Sequence, residues 1–210
     1  MNTPRTKAEW RALLLARRRA LPAELHATEA RSLAAGVVAS ARAAHSVTMG
    51  GTSSPVCCYL PFGREPGSLA MLDALREAGR DVLLPVIPTD GADAPSTTAP
   101  LDWAPYQGPS SLVTGPYGLR QPAGPHWGPA AIAMADLVLI PALAVDRRGV
   151  RLGRGAGWYD RSLPLAHPGT PLVTVLRDAE VVDALPVERH DVLMTGVLTP
   201  HCGLRPLPLS

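Results

Sequence analysis

The stretch from Asp146 to Asp160 reads DRRGVRLGRGAGWYD and concentrates the residue types needed to hold an anion. Gly153, Gly155 and Gly157 alternate with Arg154 and Ala156, and Arg151 stands just upstream. Glycines at this spacing allow positive φ, so that backbone N–H groups can converge on one cluster of oxygens. A helix starting after the glycines would add partial positive charge. Arg151 and Arg154 supply full charges with a bidentate geometry suited to phosphate. The expected chemistry is phosphate binding. It is not that of a Walker loop, since no GxxxxGK(S/T) run exists, nor of the dinucleotide turn, since the spacing is GxGxG rather than GxGxxG. The competing reading is a flexible glycine turn with solvated arginines.

One other residue draws notice by its rarity. Lys7 is the only lysine among 20 basic residues. In a chain so biased toward arginine, a retained lysine suggests a need for a compact ammonium rather than a planar fork. Lys7, Arg11 and Arg18 lie at i, i+4 and i+11 of a helical pattern and line one side of it; a solvated helix face is the plain alternative. The six histidines include no pair at helical metal-ligand spacing.

The elements that must position these residues follow from periodicity. Trp10, Leu13, Leu14 and Leu21 recur at helical spacing over 6–20, and Pro22 opens a second helix over about 22–43. Gly50, Gly51, Ser53, Ser54 and Pro55 form a loop. Val56–Pro61 reads as a short buried strand, Gly67–Gly79 as a helix closed by Gly79, and Asp81–Ile87 as another strand. This β-α-β unit calls for a parallel pair. In 88–129, fifteen of 42 residues are Pro or Gly, which predicts a long loop without regular structure. DLVLIPALAV at 136–145 is the clearest strand, apolar throughout, as expected when both faces of a sheet are covered. A helix over 157–165 and strands at 172–176 and 192–198 complete the pattern. The alternation predicts an α/β fold: one three-layer α/β/α domain over 1–210, Rossmann-like, with a mostly parallel sheet that binds ligands at the carboxyl ends of its strands.

Composition narrows the function classes. The net charge of +2 with pI near 8.6 is too balanced to argue for a nucleic-acid surface. No apolar run approaches a membrane span, and the charged N-terminus carries no signal core. Three cysteines, Cys57, Cys58 and Cys202, form no framework and fit a reducing compartment. A cytoplasmic protein, monomeric or weakly dimeric, is the expectation.

The run from Pro141 to Arg161 resembles the signature of the 5-formyltetrahydrofolate cyclo-ligase family: P-x-x-x-x-D, then G-x-R-L-G-x-G-x-G-(Y/W)-Y-D-R. It appears here as Pro141 to Asp146, then Gly149, Arg151, Leu152, Gly153, Arg154, Gly155, Gly157, Trp158, Tyr159, Asp160 and Arg161. Weaker marks fall in order around it. Lys7-Ala-Glu-Trp10-Arg11 resembles the opening K-x-x-L-R, Tyr59–Ser68 with Glu65 the segment bearing a substrate-contacting glutamate, and Leu185-Pro186, His190-Asp191 and Thr199 the closing L-P…H-D…T pattern.

The resemblance implies conversion of 5-formyltetrahydrofolate to 5,10-methenyltetrahydrofolate with ATP and Mg²⁺. By matched position, Lys7, Arg11 and the 151–159 stretch (Arg151, Leu152, Gly153, Arg154, Gly155, Ala156, Gly157, Trp158, Tyr159) would bind ATP. Lys7, Arg151, Arg154 and Tyr159 would act in catalysis. Leu60, Glu65 and residues 154–158 would contact the folate, and Asp160 and Asp191 would hold Mg²⁺. Trp103, Tyr106 and Tyr159 are candidates to stack on the pterin, packing being the more natural role of the first two. Two positions depart from the family pattern: Gln121 stands where G-(I/L)-x-E-P has glutamate, and Val86 where a basic residue often follows the proline. Other readings on the same scaffold are a phosphosugar-isomerase-like enzyme and a non-catalytic folate- or nucleotide-binding regulator.

Overall fold

The computed structural model describes residues 5–45, 54–90, 94–188 and 191–209; the expected loop at Gly50, Gly51 and Ser53, and His190, lie outside them. Thr6 caps the first helix, α1 (Lys7–Ala20), through a reciprocal box. The Glu9 N–H donates to its hydroxyl at 3.3 Å, and the Glu9 carboxylate accepts the Thr6 N–H at 2.7 Å. Lys7 therefore falls on the first helical residue. Pro22 ends the turn that follows, and α2 runs from Ala23 to His45. Strand β1 (Val56–Cys57), helix α3 (Leu69–Glu77) and strand β2 (Val82–Val86) form the expected unit, with β1 and β2 parallel. Gly79, at φ +79°, closes α3: its N–H donates to Arg76 O, and the Arg80 N–H to Leu75 O.

The Pro/Gly-rich segment is not structureless. It holds a two-residue ribbon, β3 (Thr89–Asp90) with β4 (Ala94–Pro95), then β5 (Asp102–Pro105), and a hairpin of β6 (Leu112–Thr114) and β7 (Arg120–Pro122). β5 lies antiparallel on β2 at the sheet edge, where strand-terminal prolines are tolerated. The apolar run 136–145 is two strands, β8 (Leu137–Pro141) and β9 (Ala144–Asp146), which belong to different sheets. Both bury their residues, so no break in polarity marks the bend between them. The expected helix 157–165 is a short α4 (Trp158–Ser162) and a 3₁₀ turn at Leu163–Leu165 containing Pro164. β10 (Arg151–Leu152), β11 (Leu172–Val175), β12 (Val181–Val182), β13 (Gly196–Thr199) and the unforeseen β14 (Gly203–Pro206) complete the chain.

The main sheet has the order β14-β13-β11-β8-β1-β2-β5. Its five inner strands are parallel and its two edges antiparallel. Side chains alternate across it. Val82, Leu84, Leu137 and Leu139 meet Leu33, Val37, Met71 and Leu72 of α2 and α3. Leu83, Val138 and Ile140 face the other way, toward Ala131, Ile132 and Leu163 of short 3₁₀ turns. A small sheet, β10-β9-β12, packs its Ala144 and Leu152 against Leu14 of α1. Trp103 and Tyr106 are buried in the two main clusters, and the Tyr106 hydroxyl donates to Asp73 at 2.8 Å, so neither is available to stack on a ligand.

Between α1, α2 and the end of β11 lies a buried ionic network. Arg18 donates to both oxygens of Glu180, at 2.7 and 2.8 Å, and to Ala142 O at 2.6 Å. Arg177 donates to Glu29 at 2.7 Å, to Arg64 O at 3.1 Å and to His26 Nδ1 at 2.8 Å. Burial first, then the Arg177 and Arg64 charges, lowers the His26 pKa, so the ring is neutral and accepts at Nδ1.

Beyond the same end of β11, next to Arg177, Asp178 accepts from Thr199 Oγ1 at 2.7 Å and pairs with His201 Nδ1 at 2.8 Å. Burial alone would raise the Asp178 pKa, but hydrogen bonds from Thr199, His201 and Cys202 outweigh it and lower it well below its ordinary value. The same hydrogen bond and charge raise His201. The depressed carboxyl contributes stability that is whole above its ordinary pKa of 3.8 and lost as pH falls through its folded value. The raised imidazole contributes stability that is whole below 6.5 and lost as pH rises through its folded value. Asp178→Asn should therefore lower the urea midpoint most between these two pH values, converge on the parent at the acid extreme, and keep a smaller deficit at the alkaline extreme, where the carboxylate still accepts from Thr199. A midpoint difference that does not vary with pH would contradict this account.

Candidate active site

The chain reverses direction across the sheet between β1 and β8, since β1 has β2 on one side and β8 on the other. In parallel sheets the crevice at such a switch point, at the carboxyl ends of the strands, is where ligands bind. A cleft of about 880 Å³ opens there, within the range of small-molecule sites. Tyr59 to Phe62 and Glu65 descend from β1, Pro141 and Ala142 end β8, and α1 presents Lys7 and Arg11. Residues 151–160 form the opposite wall, the 117–121 hairpin tip a third side, and Glu188 and Asp191 the remaining rim. Trp103 and Tyr106 apart, the site residues expected from the sequence all line this one cleft: Lys7, Arg11, Leu60, Glu65, Arg151 to Asp160, and Asp191.

The glycine-rich wall is built from Asp146 outward. Its wholly buried carboxylate accepts the N–H groups of Arg148 at 2.9 Å, Val150 at 3.0 Å and Leu185 at 3.1 Å, and pairs with the Arg148 guanidinium. These bonds fix the turn between β9 and β10. Gly149 is essential to it: φ is +96°, and a methyl group there would lie 2.5 Å from Met194 O. β10 then sets Arg151 into the cleft wall, and Arg11 holds the next residue by donating from Nε to Gly153 O at 3.0 Å. Gly155 and Gly157 take positive φ, +105° and +73°, and Gly157 starts α4 in the left-handed region. Because α4 is only five residues long, its dipole adds little, and the cationic character of this wall rests on arginines and glycine amides.

Each acidic residue of the cleft is matched to a base. Lys7 Nζ lies 3.0 and 3.1 Å from the Asp191 oxygens and 3.3 Å from Glu188 Oε1. Arg151 pairs with Asp160. Arg154 Nε donates to Glu65 Oε1 at 3.0 Å, across the cleft, while the other Glu65 oxygen accepts the Phe62 N–H at 3.0 Å. Five cations, Lys7, Arg11, Arg120, Arg151 and Arg154, thus share the cleft with four carboxylates, Glu65, Asp160, Glu188 and Asp191. Among the described residues, no group of three or more His, Cys, Asp or Glu side chains is placed to cage a metal ion. Tyr159 lies beside Arg151, with the guanidinium carbon 5.8 Å from the ring centre. Burial, with the nearby Cys58 and Glu65, pushes its phenol well above the ordinary range, so it stays protonated and can donate but not act as a base.

Sequence reasoning missed the hairpin tip. Tyr117, non-glycine yet at φ +57° and 67% exposed, brings its ring within 5.9 Å of Trp158 across the cleft mouth. Gln121, noted only as a departure from a pattern, lines the cleft beside it and accepts the Ile87 N–H. Neither could be placed while 88–129 read as structureless. Glu188 was also missed, although it stands three residues before Asp191.

Comparison with known proteins gives one consistent result. The profile of the 5-formyltetrahydrofolate cyclo-ligase family matches residues 3–200. A relative from Mycolicibacterium smegmatis named 5-formyltetrahydrofolate cyclo-ligase is 46% identical over 206 residues, covering 96% of this chain and 97% of its own. One of the same name from Escherichia coli is 31% identical over 146 residues, 69% of this chain and 77% of its own. The fold matches two 5,10-methenyltetrahydrofolate synthetase structures. That from Aquifex aeolicus has a TM-score of 0.71 at 24% identity, covering 97% of this chain and 94% of its own. That from Mycoplasma pneumoniae has 0.67 at 18% identity, covering 93% and 99%.

The geometry around Gly149 can be tested directly. Gly149→Ala should destabilise the protein by about 1–3 kcal/mol, through a forced backbone change at positive φ, with a matching fall in the denaturant midpoint. Gly124→Ala, where an added methyl meets nothing within 4 Å, should change stability by less than about 0.5 kcal/mol. Equal effects at the two positions would refute the steric account.

Proposed function

The chain belongs to the 5-formyltetrahydrofolate cyclo-ligase family, and from that premise we propose that it converts 5-formyltetrahydrofolate to 5,10-methenyltetrahydrofolate, using ATP and Mg²⁺ and releasing ADP and phosphate. The observation that supports this best is that a single cleft joins two unlike surfaces. One is cationic and glycine-rich, built by Lys7, Arg11, Arg151 and residues 153–157. The other is apolar and aromatic, built by Leu60, Pro61, Phe62, Tyr117 and Trp158. A polyphosphate and a flat ring system can therefore meet within one cavity.

A formamide oxygen is a poor leaving group; ATP supplies the γ-phosphoryl group that makes it a good one, after which N10 bonds to the formyl carbon and gives up its proton to solvent, and phosphate departs with the C–O electron pair. Such a transfer demands positioning and charge stabilisation more than covalent chemistry. In this proposal Lys7, Arg11, Arg151 and Arg154 hold the phosphates, the amides of 153–157 cradle them, and Tyr159 donates from its protonated phenol. Leu60, Glu65 and the 154–158 backbone hold the folate, with Trp158 and Tyr117 against its ring face. Arg154 leaves Glu65 for a phosphate oxygen, which frees the carboxylate to orient the formyl-bearing ring.

Asp160 and Asp191 would hold Mg²⁺, which supplies neutralisation of phosphate charge. Two carboxylates, completed by phosphate oxygens and water, suit an ion that dehydrates reluctantly and is seldom caged by protein alone. The three cysteines are free, Cys57 and Cys58 buried and Cys202 exposed, which suits the reducing cytoplasm proposed for this protein. No helix among the described residues is long and apolar enough to cross a membrane. We propose a small-molecule enzyme that binds no nucleic acid and works as a monomer or weak homodimer.

The reaction is tested by mixing protein, 5-formyltetrahydrofolate and MgATP and following the near-ultraviolet band of the methenyl product. Growth of that band only when ATP and Mg²⁺ are present is expected. Folate binding without turnover would favour a regulator, and neither binding nor turnover would favour the isomerase-like reading. Lys7→Ala should lower kcat by about 10²-fold, the scale of one lost charge-stabilising donor, with the fold intact by circular dichroism. Asp160→Asn should raise the Mg²⁺ concentration needed for half-maximal rate; an unchanged Mg²⁺ dependence would remove Asp160 from the metal site.

A further inference from the structure

An ammonium has three N–H donors. Around Lys7 Nζ stand three protein oxygens at bonding distance: Asp191 Oδ2 at 3.0 Å, Asp191 Oδ1 at 3.1 Å and Glu188 Oε1 at 3.3 Å. To grip a phosphate, Lys7 must therefore release at least one of them.

The two carboxylates are held differently. Asp191 Oδ2 also accepts the backbone N–H of Glu188 at 2.7 Å, and the Asp191 N–H donates to Glu188 O at 3.1 Å. The backbone of Glu188 thus orients Asp191, whether or not Lys7 is attached. Glu188 reaches the ammonium from the rim, with its side chain 52% exposed. Lys7 is far less exposed, at 15%, and sits on the first residue of α1.

We infer that Glu188 is a positioning residue that keeps Lys7 at the phosphate end of the cleft when Asp191 turns to a divalent cation. The inference rests on the nucleotide and metal roles proposed above for Lys7 and Asp191. One carboxylate would balance one ammonium, so a second is superfluous in a resting pair. It becomes necessary once the first has another charge to serve. Without Glu188, Lys7 and the cation compete for Asp191. With it, the ammonium keeps one carboxylate partner and can turn its remaining donors to phosphate.

This role has a sign opposite to that of simple electrostatics. A carboxylate at the rim of a polyphosphate site repels the ligand, so its neutralisation should tighten binding. If Glu188 holds Lys7 in place, its neutralisation should weaken binding instead. The experiment is calorimetric titration of the full chain with a non-hydrolysable ATP analogue across a series of Mg²⁺ concentrations. It compares the parent, Glu188→Gln, Lys7→Met and the double variant. Glu188→Gln is expected to weaken binding by roughly three- to thirtyfold, within the range for members of one ion-pair network, and to raise the Mg²⁺ needed for half-saturation. In the Lys7→Met background the same change should have no further effect. Glu188→Asp, which keeps the charge, should recover part of the loss, as a folding defect would not.

Unchanged or tighter binding in Glu188→Gln overturns the inference. So does an equal loss with and without Lys7. Failure of the parent itself to bind the nucleotide at any Mg²⁺ concentration would overturn the nucleotide reading on which this one stands.

Discussion

The buried network of Arg18, Glu180, Arg177 and Glu29 is the constraint on which the cleft depends. Its members come from α1, α2 and the end of β11, and its outer bonds reach the two chain segments that shape the binding site. Arg18 holds the carbonyl of Ala142, where β8 leaves the main sheet. Arg177 holds the carbonyl of Arg64, next to Glu65. Four buried charges are costly to desolvate, and well-packed apolar residues would serve stability as well. What the network provides is fixed geometry. It brings α1, which packs on the small sheet rather than the large one, to a defined place against the switch point. Without that docking Lys7 and Arg11 would have no relation to the glycine-rich wall.

The same economy governs the cleft. Three of its cations are joined to carboxylates in pairs whose members have different proposed uses: Lys7 with Asp191, Arg151 with Asp160, Arg154 with Glu65. The pairing keeps the walls in order and the local field small. It also means that a polyanion accompanied by a cation, as proposed for this site, would exchange partners here instead of entering a bare positive pocket. Affinity in such a site depends on differences between pairs, which makes the geometry of each pair consequential.

How much of this was legible beforehand varied with the physics of each part. The parallel core was readable because β2 and β8 bury alternate residues on two covered faces, so their apolar runs stand out. The glycine-rich wall was readable as a place because three alternating glycines interleaved with arginine stand out between a strand and a helix. The bend at Ala142 was not, because 136–145 is buried on both sides of it and polarity does not change there. The 102–122 region was misread because its strands are three or four residues long and bounded by prolines, a pattern an edge position permits. With it went Tyr117 and Gln121, whose place in the cleft depends on the fold of that hairpin. Pairing between charges was also invisible: residues named separately as phosphate, substrate and metal contacts proved to be one another's partners.

Lys7 and Asp191 are 184 residues apart in sequence and in contact in space. On a ribosome, at roughly 5–20 residues per second, one half of this contact waits on the order of 10–40 s for the other. During that interval the parallel core can assemble strand by strand, but the cleft stays open on one side, with its ammonium unopposed. The nucleotide site proposed here is thus incomplete until residue 191 has been added, so a shorter nascent chain presents only one side of the cleft to a polyphosphate.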